Sequence, residues 1–257
     1  MLEHNRAVPS LKQAGREWHK LVVKIMLGFG FVQSKLEPCL FTRGEGKNML
    51  ILAVYVDDFF LAFGADTLRD DFHKHMASTF KVKDLGEIGW TLGWRVTRDL
   101  GAGTTTIDQA QYIDTILDEF GMAECHPEKS PEQKGLYLLL AHRPQTPEER
   151  KSMESVPYRS CVGKLLYLVC STRPDIAQAV RQLSAHVSDP GPTHWTAAKR
   201  VLRYLKGTRD MGITYRQDAN REVFLYSDSD HGSSCDDRKS ITGMISILAG
   251  GPFRGVA

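Results

Sequence analysis

Apolar residues along the chain fall into runs of two kinds. From Leu50 to Phe63, LILAVYVDDFFLAF, they are nearly continuous and rich in β-branched and aromatic side chains, which favours strands. Two adjacent aspartates, Asp57 and Asp58, interrupt the run. Burying two unpaired carboxylates is costly, because each wants water, a counter-charge or a metal. A single buried helix would leave both acids on one side of an almost wholly apolar cylinder. The pattern therefore predicts a β-hairpin with the aspartates at or near its turn.

Elsewhere the apolar positions recur at helical spacing. Leu68, Phe72, Met76 and Phe80 fall at i, i+4, i+8 and i+12, and Thr67 followed by Asp70 resembles a capping box. Ile113, Ile116, Leu117 and Phe120 line a second helix, with Gly121 suited to the C′ position. Three further stripes follow: Val162, Leu165, Leu166 and Val169; then Ile176, Ala179, Val180 and Leu183 behind Pro174 at the first helical position; then Trp195, Ala198, Leu202 and Leu205. WTLGWRVTRDLGAGTTTID, with Gly101 and Gly103, predicts a second hairpin. Residues 126–157, rich in proline and charge, read as a linker or long loop interrupted by LYLLL. EVFLYSD is a short strand, followed by a polar loop and the apolar run ITGMISILAG. Hairpin, helix, hairpin, helical segment and new strand make an α+β fold.

Composition changes this picture little. At 42% hydrophobic and 25% charged, with a net charge of +2, the chain reads as an ordinary soluble globular protein, and any nucleic-acid signal must be local. The longest apolar run, broken by the aspartates, is shorter than the roughly 18 residues of a membrane span, and MLEHNRAVPSLKQ has no signal-peptide core. Cys39, Cys125, Cys161, Cys170 and Cys235 are scattered and odd in number, which argues for buried thiols in a reducing compartment rather than disulfides or zinc. The expectation is an intracellular protein, neither secreted nor in a membrane.

Tyr55-Val56-Asp57-Asp58 at a hairpin turn resembles the YxDD signature of reverse transcriptases. In order along the chain, LKQAGREWHK, GFVQSKLEPCLF, DLGEIGWTLGWRV, YRSCVGKLLYL, TRPDIAQAV, HWTAAKRVLRYLKGT and SDSDHGSSCDDRKSITG resemble copia-type retrotransposon polymerases. The resemblance covers nearly the whole chain. It implies an antiparallel palm sheet with helices, a helical thumb and a truncated ribonuclease H-like strand region. The corresponding expectation is partial fingers and palm over 1–108, thumb and connection helices over 109–215, and the start of a ribonuclease H-like domain over 216–257.

The resemblance also implies roles. Asp57 would be the firmer and Asp58 the supporting metal ligand and catalytic carboxylate, with Tyr55 near the primer end. Nucleotidyl transfer uses two magnesium ions (or manganese), roughly 4 Å apart, and magnesium takes hard carboxylate oxygens. Gln13 matches the position that lines the incoming-nucleotide pocket, although Gly15 stands where the family has proline and Pro9-Ser10 where it has tyrosine-glycine. Leu92-Gly93-Trp94 resembles the primer grip. Lys199, Arg203 and Lys206, on one helix face at i, i+4 and i+7, would track phosphates; a solvated basic face is the plain alternative. Asp228 in VFLYSDSDHG would be the first metal ligand of a nuclease site. A calcium loop from Asp228 is rejected, because Ser233 and Lys239 occupy the positions that need glycine and glutamate. The implied partners are an RNA template, a DNA primer or RNA–DNA hybrid, and deoxynucleoside triphosphates. The residues leave the oligomeric state open.

The family palm needs a third carboxylate upstream of LKQA. Here Asp57 is the first aspartate, and the earlier acids are Glu3, Glu17, Glu37 and Glu45, none in such a motif. No glutamate follows Glu222, so the nuclease acids are also short. The expectation is a reverse-transcriptase fragment with little polymerase activity alone. The alternative is a non-catalytic nucleic-acid-binding module derived from a retroelement.

Overall fold

Alternation organises the first part of the computed structural model, which describes residues 13–232, 236 and 238–256. Pro9, Ser10, Ser233 and Cys235 lie outside the described residues. The chain divides at Gly86/Glu87 into two compact units, within the stretch 1–108 expected to form one domain.

In the first unit, helix α1 (Ala14–Gly28) leads into strands β1 (Val32–Gln33), β2 (Leu40–Arg43), β3 (Leu50–Tyr55) and β4 (Asp58–Phe63), then helix α2 (Asp66–Ala77). The strands form an antiparallel sheet in sequence order. β3 buries Leu50, Leu52 and Val54 and exposes Ile51 and Tyr55, the period-two signature of a sheet with one covered face. Val22 and Met26 of α1 and Phe72 and Met76 of α2 bury against them, with Phe31 and Phe41. Phe80, beyond the end of α2, still packs on this core. Thr67 does not cap α2: the helix begins one residue earlier, after Ala65, with no side-chain cap, and Asp66 pairs with Arg69 at 3.3 Å.

The second unit opens with β5 (Trp90–Thr91), β6 (Trp94–Asp99) and β7 (Thr104–Asp108), the hairpin expected around Gly101 and Gly103. Helix α3 (Ala110–Glu119) follows and ends as its sequence dictates. Gly121 takes φ +65°, and the Met122 and Gly121 amides donate to the Leu117 and Asp118 carbonyls at 2.7 and 3.0 Å, a Schellman motif. The proline-rich segment carries a helix that the linker reading missed, α4 (Pro147–Glu154). Thr146 Oγ1 accepts the Glu149 amide at 3.2 Å, and the Gln145 amide donates to Glu149 Oε2 at 2.7 Å. Helices α5 (Tyr158–Ser171), α6 (Ala177–Ser184) and α7 (Pro192–Gly207) complete the helical layer. Their core joins Ile113, Ile116 and Leu117 of α3 to Val162, Leu165, Leu168, Val180, Leu183, Ala198, Leu202 and Leu205. Leu166 points to solvent, 41% exposed, and Leu168 takes the core position instead. Pro174 opens a 3₁₀ turn that runs into α6 rather than α6 itself.

Strand β8 (Gly212–Arg216), not foreseen, pairs with β7 to finish a four-stranded antiparallel sheet, so residues 104–108 and 212–216 are neighbours. β9 (Phe224–Ser229), β10 (Thr242–Leu248) and β11 (Gly251–Val256) make a separate three-stranded antiparallel sheet in the order β11-β10-β9. The architecture is α+β with antiparallel sheets. No helix among the described residues is long and apolar enough to cross a membrane. Cys39, Cys125, Cys161 and Cys170 are free thiols, and burial pushes Cys161 up to about 12.

One buried cation ties this unit together. Arg173, 1% exposed, donates from Nε and Nη2 to the Asp175 carboxylate at 3.0 and 2.8 Å, and from Nη1 to the Thr208 carbonyl at 3.0 Å. Tyr204 OH donates to Asp175 Oδ2 at 2.9 Å. Burial alone would raise the Asp175 carboxyl, but the guanidinium and the phenol outweigh it and hold it below the ordinary carboxylate range. Replacing Arg173 by Met leaves the part-exposed Asp175 carboxylate without its cation and the Thr208 carbonyl without its donor; urea unfolding is expected to show a loss of about 1–3 kcal/mol. Arg150→Ala, which opens the exposed pair with Asp189, should lose less than about 1 kcal/mol.

A buried histidine pair gives a second expectation. His186 and His194 stack with ring centroids 4.1 Å apart, and both are almost fully buried. His194 Nδ1 accepts the Gly191 amide at 2.9 Å, so that nitrogen must stay unprotonated. Burial, then the neighbouring His186, lowers His194 to about 4, and burial likewise lowers His186. An unfolded histidine titrates near pH ~6.5, so below that pH the unfolded chain binds more protons than the folded one. Stability is therefore full above the unfolded value and is lost as the pH falls toward the folded one. Thermal melts should show a lower Tm at pH ~5 than at pH ~7, and His194→Gln, which takes up no proton, should flatten the decline.

Candidate metal-binding turn and its surroundings

The hairpin of β3 and β4 closes in the tightest way available. Tyr55 pairs with Asp58 and Leu50 with Phe63, which leaves Val56 and Asp57 as a two-residue loop. Val56 sits at φ +55°, while Asp57 is outside the left-handed region. Positive φ at the first central residue alone is the II′ pattern, which ordinarily takes glycine there. A β-branched residue in that conformation carries strain of roughly 1–3 kcal/mol. The turn is held from the side by α1: Trp18 Nε1 donates to the Val56 carbonyl, and its ring packs on Phe80 with centroids 5.1 Å apart.

Asp57, Asp58 and Tyr55 are all exposed at this tip. Neither carboxylate has a hydrogen-bond or ion-pair partner among the described residues. Two adjacent, solvated, unpaired carboxylates offer the hard oxygen donors that a magnesium or manganese ion prefers. The donor type fits, but the donor number is short. Among the described residues no group of three His, Cys, Asp or Glu side chains comes together to hold a metal. Gln13 stands at the N-cap position of α1, the helix whose Trp18 reaches the turn, and its side chain is exposed and makes no capping bond.

The remaining expected site residues lie in the second unit. Leu92 and Gly93, both at positive φ (+50° and +73°), form the two-residue loop between β5 and β6, the I′ pattern. Tyr167 OH of α5 donates to the Leu92 carbonyl, and Trp94 is half-buried in β6. The segment is thus a tight hairpin braced from α5. On α7 the three basic residues are not equivalent. Arg203 donates to the His126 carbonyl at 2.7 Å and pairs with Glu128 at 3.1 Å, and Arg200 pairs with the same Glu128. Lys199 lies over the Trp195 ring at 5.9 Å, and neither it nor Lys206 makes an ion pair among the described residues. Asp228 is exposed on β9 opposite Gly243, and its carboxylate accepts the Ser229 amide at 2.9 Å. Asp230 instead closes a loop, exchanging bonds with Ile241 at 3.0 and 2.9 Å.

Sequence reasoning missed Trp18 and Tyr167. Each is an aromatic donor on an amphipathic helix, and periodicity reads such a residue only as core.

The chain matches the family described as reverse transcriptase (RNA-dependent DNA polymerase) over residues 1–134. It is 34% identical over 250 residues to the retrovirus-related Pol polyprotein from transposon TNT 1-94 of Nicotiana tabacum, covering 96% of this chain and 19% of the relative. It is 33% identical over 248 residues to the corresponding polyprotein from transposon RE1 of Arabidopsis thaliana, covering 96% and 16%. A putative transposon Ty5-1 protein of Saccharomyces cerevisiae is 29% identical over 242 residues, covering 94% of this chain and 76% of the relative. The chain thus spans less than a fifth of the Pol polyproteins it matches. No solved structure matches it. Two aspartates at a strained hairpin tip, inside the region matched by that family and flanked by homology along 96% of the chain, place this protein in the reverse transcriptase (RNA-dependent DNA polymerase) family, among the Pol polyproteins of copia-type retrotransposons.

Proposed function

We propose that the chain is a part of a retrotransposon RNA-directed DNA polymerase, in which Asp57 and Asp58 hold divalent cations beside the primer end. The observation that carries this reading is the exposure of two adjacent, unpartnered carboxylates at a rigid hairpin tip. When bound, magnesium would lower the barrier to phosphoryl transfer by offsetting the charge that develops on the transferring group. The chain's own residues do the positioning. The β3–β4 register fixes where the two carboxylates emerge, Tyr55 stands exposed beside them, and Gln13 on α1 faces solvent in the same unit. The Leu92–Trp94 hairpin, pinned by Tyr167, suits a role in holding primer backbone. The β9–β11 sheet, opening on the strand that carries Asp228, is consistent with the beginning of a ribonuclease H-like domain.

Two carboxylates do not complete a two-metal cradle. Loss of such electrostatic stabilisation costs orders of magnitude in rate. The 257-residue chain is therefore expected to bind metal at the turn yet extend primers poorly. Paramagnetic Mn²⁺ should broaden the NMR resonances of residues 55–58, and Asp57→Asn should abolish the broadening. Primer extension on an RNA template with magnesium or manganese should stay near background. Efficient extension by this chain alone would refute the incomplete-cradle reading, and an unbroadened turn would refute the metal assignment.

Unpaired Lys199 and Lys206 on α7 favour a second, compatible reading, in which this face binds nucleic-acid phosphates with or without catalysis. Each released counter-ion adds about 0.9 to the slope of log affinity against log salt on a B-form duplex. With an RNA–DNA hybrid, Lys199→Ala and Lys206→Ala together are expected to reduce that slope by about two. Arg203→Ala should reduce it less, since Glu128 already neutralises this residue. Fluorescence anisotropy across a salt series would read both; equal effects from all three residues would show that the Glu128 pair opens on binding.

A further inference from the structure

The Val56 carbonyl that Trp18 holds belongs to the central peptide of the turn, the one joining Val56 to Asp57. This peptide is the soft point of any two-residue hairpin loop. Types I′ and II′ differ by rotating it through roughly half a turn, with ψ of the first central residue and φ of the second changing together. The rotation swings the Asp57 backbone, and with it the direction in which the Asp57 carboxylate leaves the hairpin. Nothing in the strands prevents it, because the β3–β4 ladder ends at the Tyr55–Asp58 pair. The conformation present, with Val56 at φ +55°, is one a valine resists.

Trp18 supplies the missing restraint. Its ring is half-buried against the first unit's core and rests on Phe80 at 5.1 Å, so the indole cannot swing away from the turn. Its single donor therefore has a fixed direction, and the acceptor it meets is the oxygen of the peptide whose orientation distinguishes the two turn types. A hydroxyl or amide on a flexible stem would not impose this, and phenylalanine would keep a ring on Phe80 without a donor.

We infer that Trp18 is a positioning residue for the aspartate pair: its indole N–H locks the central peptide of the Val56–Asp57 turn and so fixes the geometry in which Asp57 and Asp58 present their carboxylates to a metal. The inference rests on the metal-holding reading of those two aspartates for its consequence, but not for its structural content.

The test uses the full chain and two substitutions. Trp18→Phe keeps an aromatic ring on Phe80 and removes the donor; Phe80→Leu disturbs the packing and keeps it. Amide hydrogen exchange at Asp57 and Asp58 reads the turn, Mn²⁺ titration followed by resonance broadening reads metal presentation, and thermal melting reads global stability. A net hydrogen bond of ordinary strength predicts that Trp18→Phe speeds exchange at the turn by about two- to ten-fold and weakens Mn²⁺ binding by a similar factor. Its melting temperature should stay close to that of the parent chain. Phe80→Leu should lower the melting temperature and speed turn exchange by less than Trp18→Phe does, because it loosens the indole's seat but keeps the donor. Turn exchange unchanged in Trp18→Phe, or changed equally in Phe80→Leu, would overturn the inference. If the parent chain shows no Mn²⁺ effect at the turn while Trp18→Phe still speeds exchange there, the metal reading fails and the lock stands.

Discussion

Adjacent carboxylates at 57 and 58 repel each other and resist burial, and a sheet satisfies both demands only where its strands turn. Within a strand, successive side chains point to opposite faces, so one of two neighbouring acids would face the core. β3 and β4 avoid this by ending at the Tyr55–Asp58 pair. The register that achieves it is set well away from the acids, by Leu50, Leu52 and Val54, whose burial on one face leaves no freedom to slip. A slip of one residue would turn that apolar set to solvent. The packing of α1 and α2 on the covered face thus decides where two charges appear at the sheet's end.

The second unit meets the opposite problem, keeping charge inside. Arg173 is buried almost completely, yet each face of its guanidinium fork is answered by Asp175 or Thr208. Those contacts tie the segment after α5 to the end of α7. Arg209 does the same at the surface, gripping Asp114 of α3 through two bonds of 2.6 Å. Helices joined by apolar stripes alone can slide; bidentate pairs at their ends set the register. The stripe of α7 is therefore held in one rotation, which determines the cations it turns outward.

Much of this was legible in the residues, and the failures have physical causes. The aspartate hairpin, the Gly101–Gly103 hairpin and the Schellman end of α3 are local features, written in strand propensity and turn glycines. Helix α4 was equally local: Thr146, Pro147 and Glu149 carry the capping-box sequence pattern with proline at the first position, but the surrounding prolines pointed to a loop. Thr67 and Asp70 erred the other way, since the same short pattern was present and the helix began before it. β8 was not legible, because GITYR becomes a strand by pairing with Thr104–Asp108, about a hundred residues earlier in the chain. The site divides similarly. The acids were visible as a clash between charge and apolar context. Trp18 was not, because its role depends on a carbonyl brought to it by the fold.

Charge pairing separates structure from chemistry in this molecule better than charge itself does. With 33 lysines and arginines against 31 acids, the overall balance carries no information. Locally the acids and bases sort into two groups. Arg173, Arg200, Arg203 and Arg209 have carboxylate partners and hold elements together. Asp57 and Asp58 have none among the described residues, and neither Lys199 nor Lys206 forms an ion pair among them, although Lys206 is near enough to help lower the Asp114 carboxyl. A solvated charge on a frayed surface costs little to keep and means little. A solvated charge on a rigid, strained tip or a fully seated helix is held in a fixed direction, and a fixed direction matters only to something that binds there. That is why the reading of this chain rests on the exposed acids of the turn and the lysines of α7, and not on the ion pairs that hold its elements together.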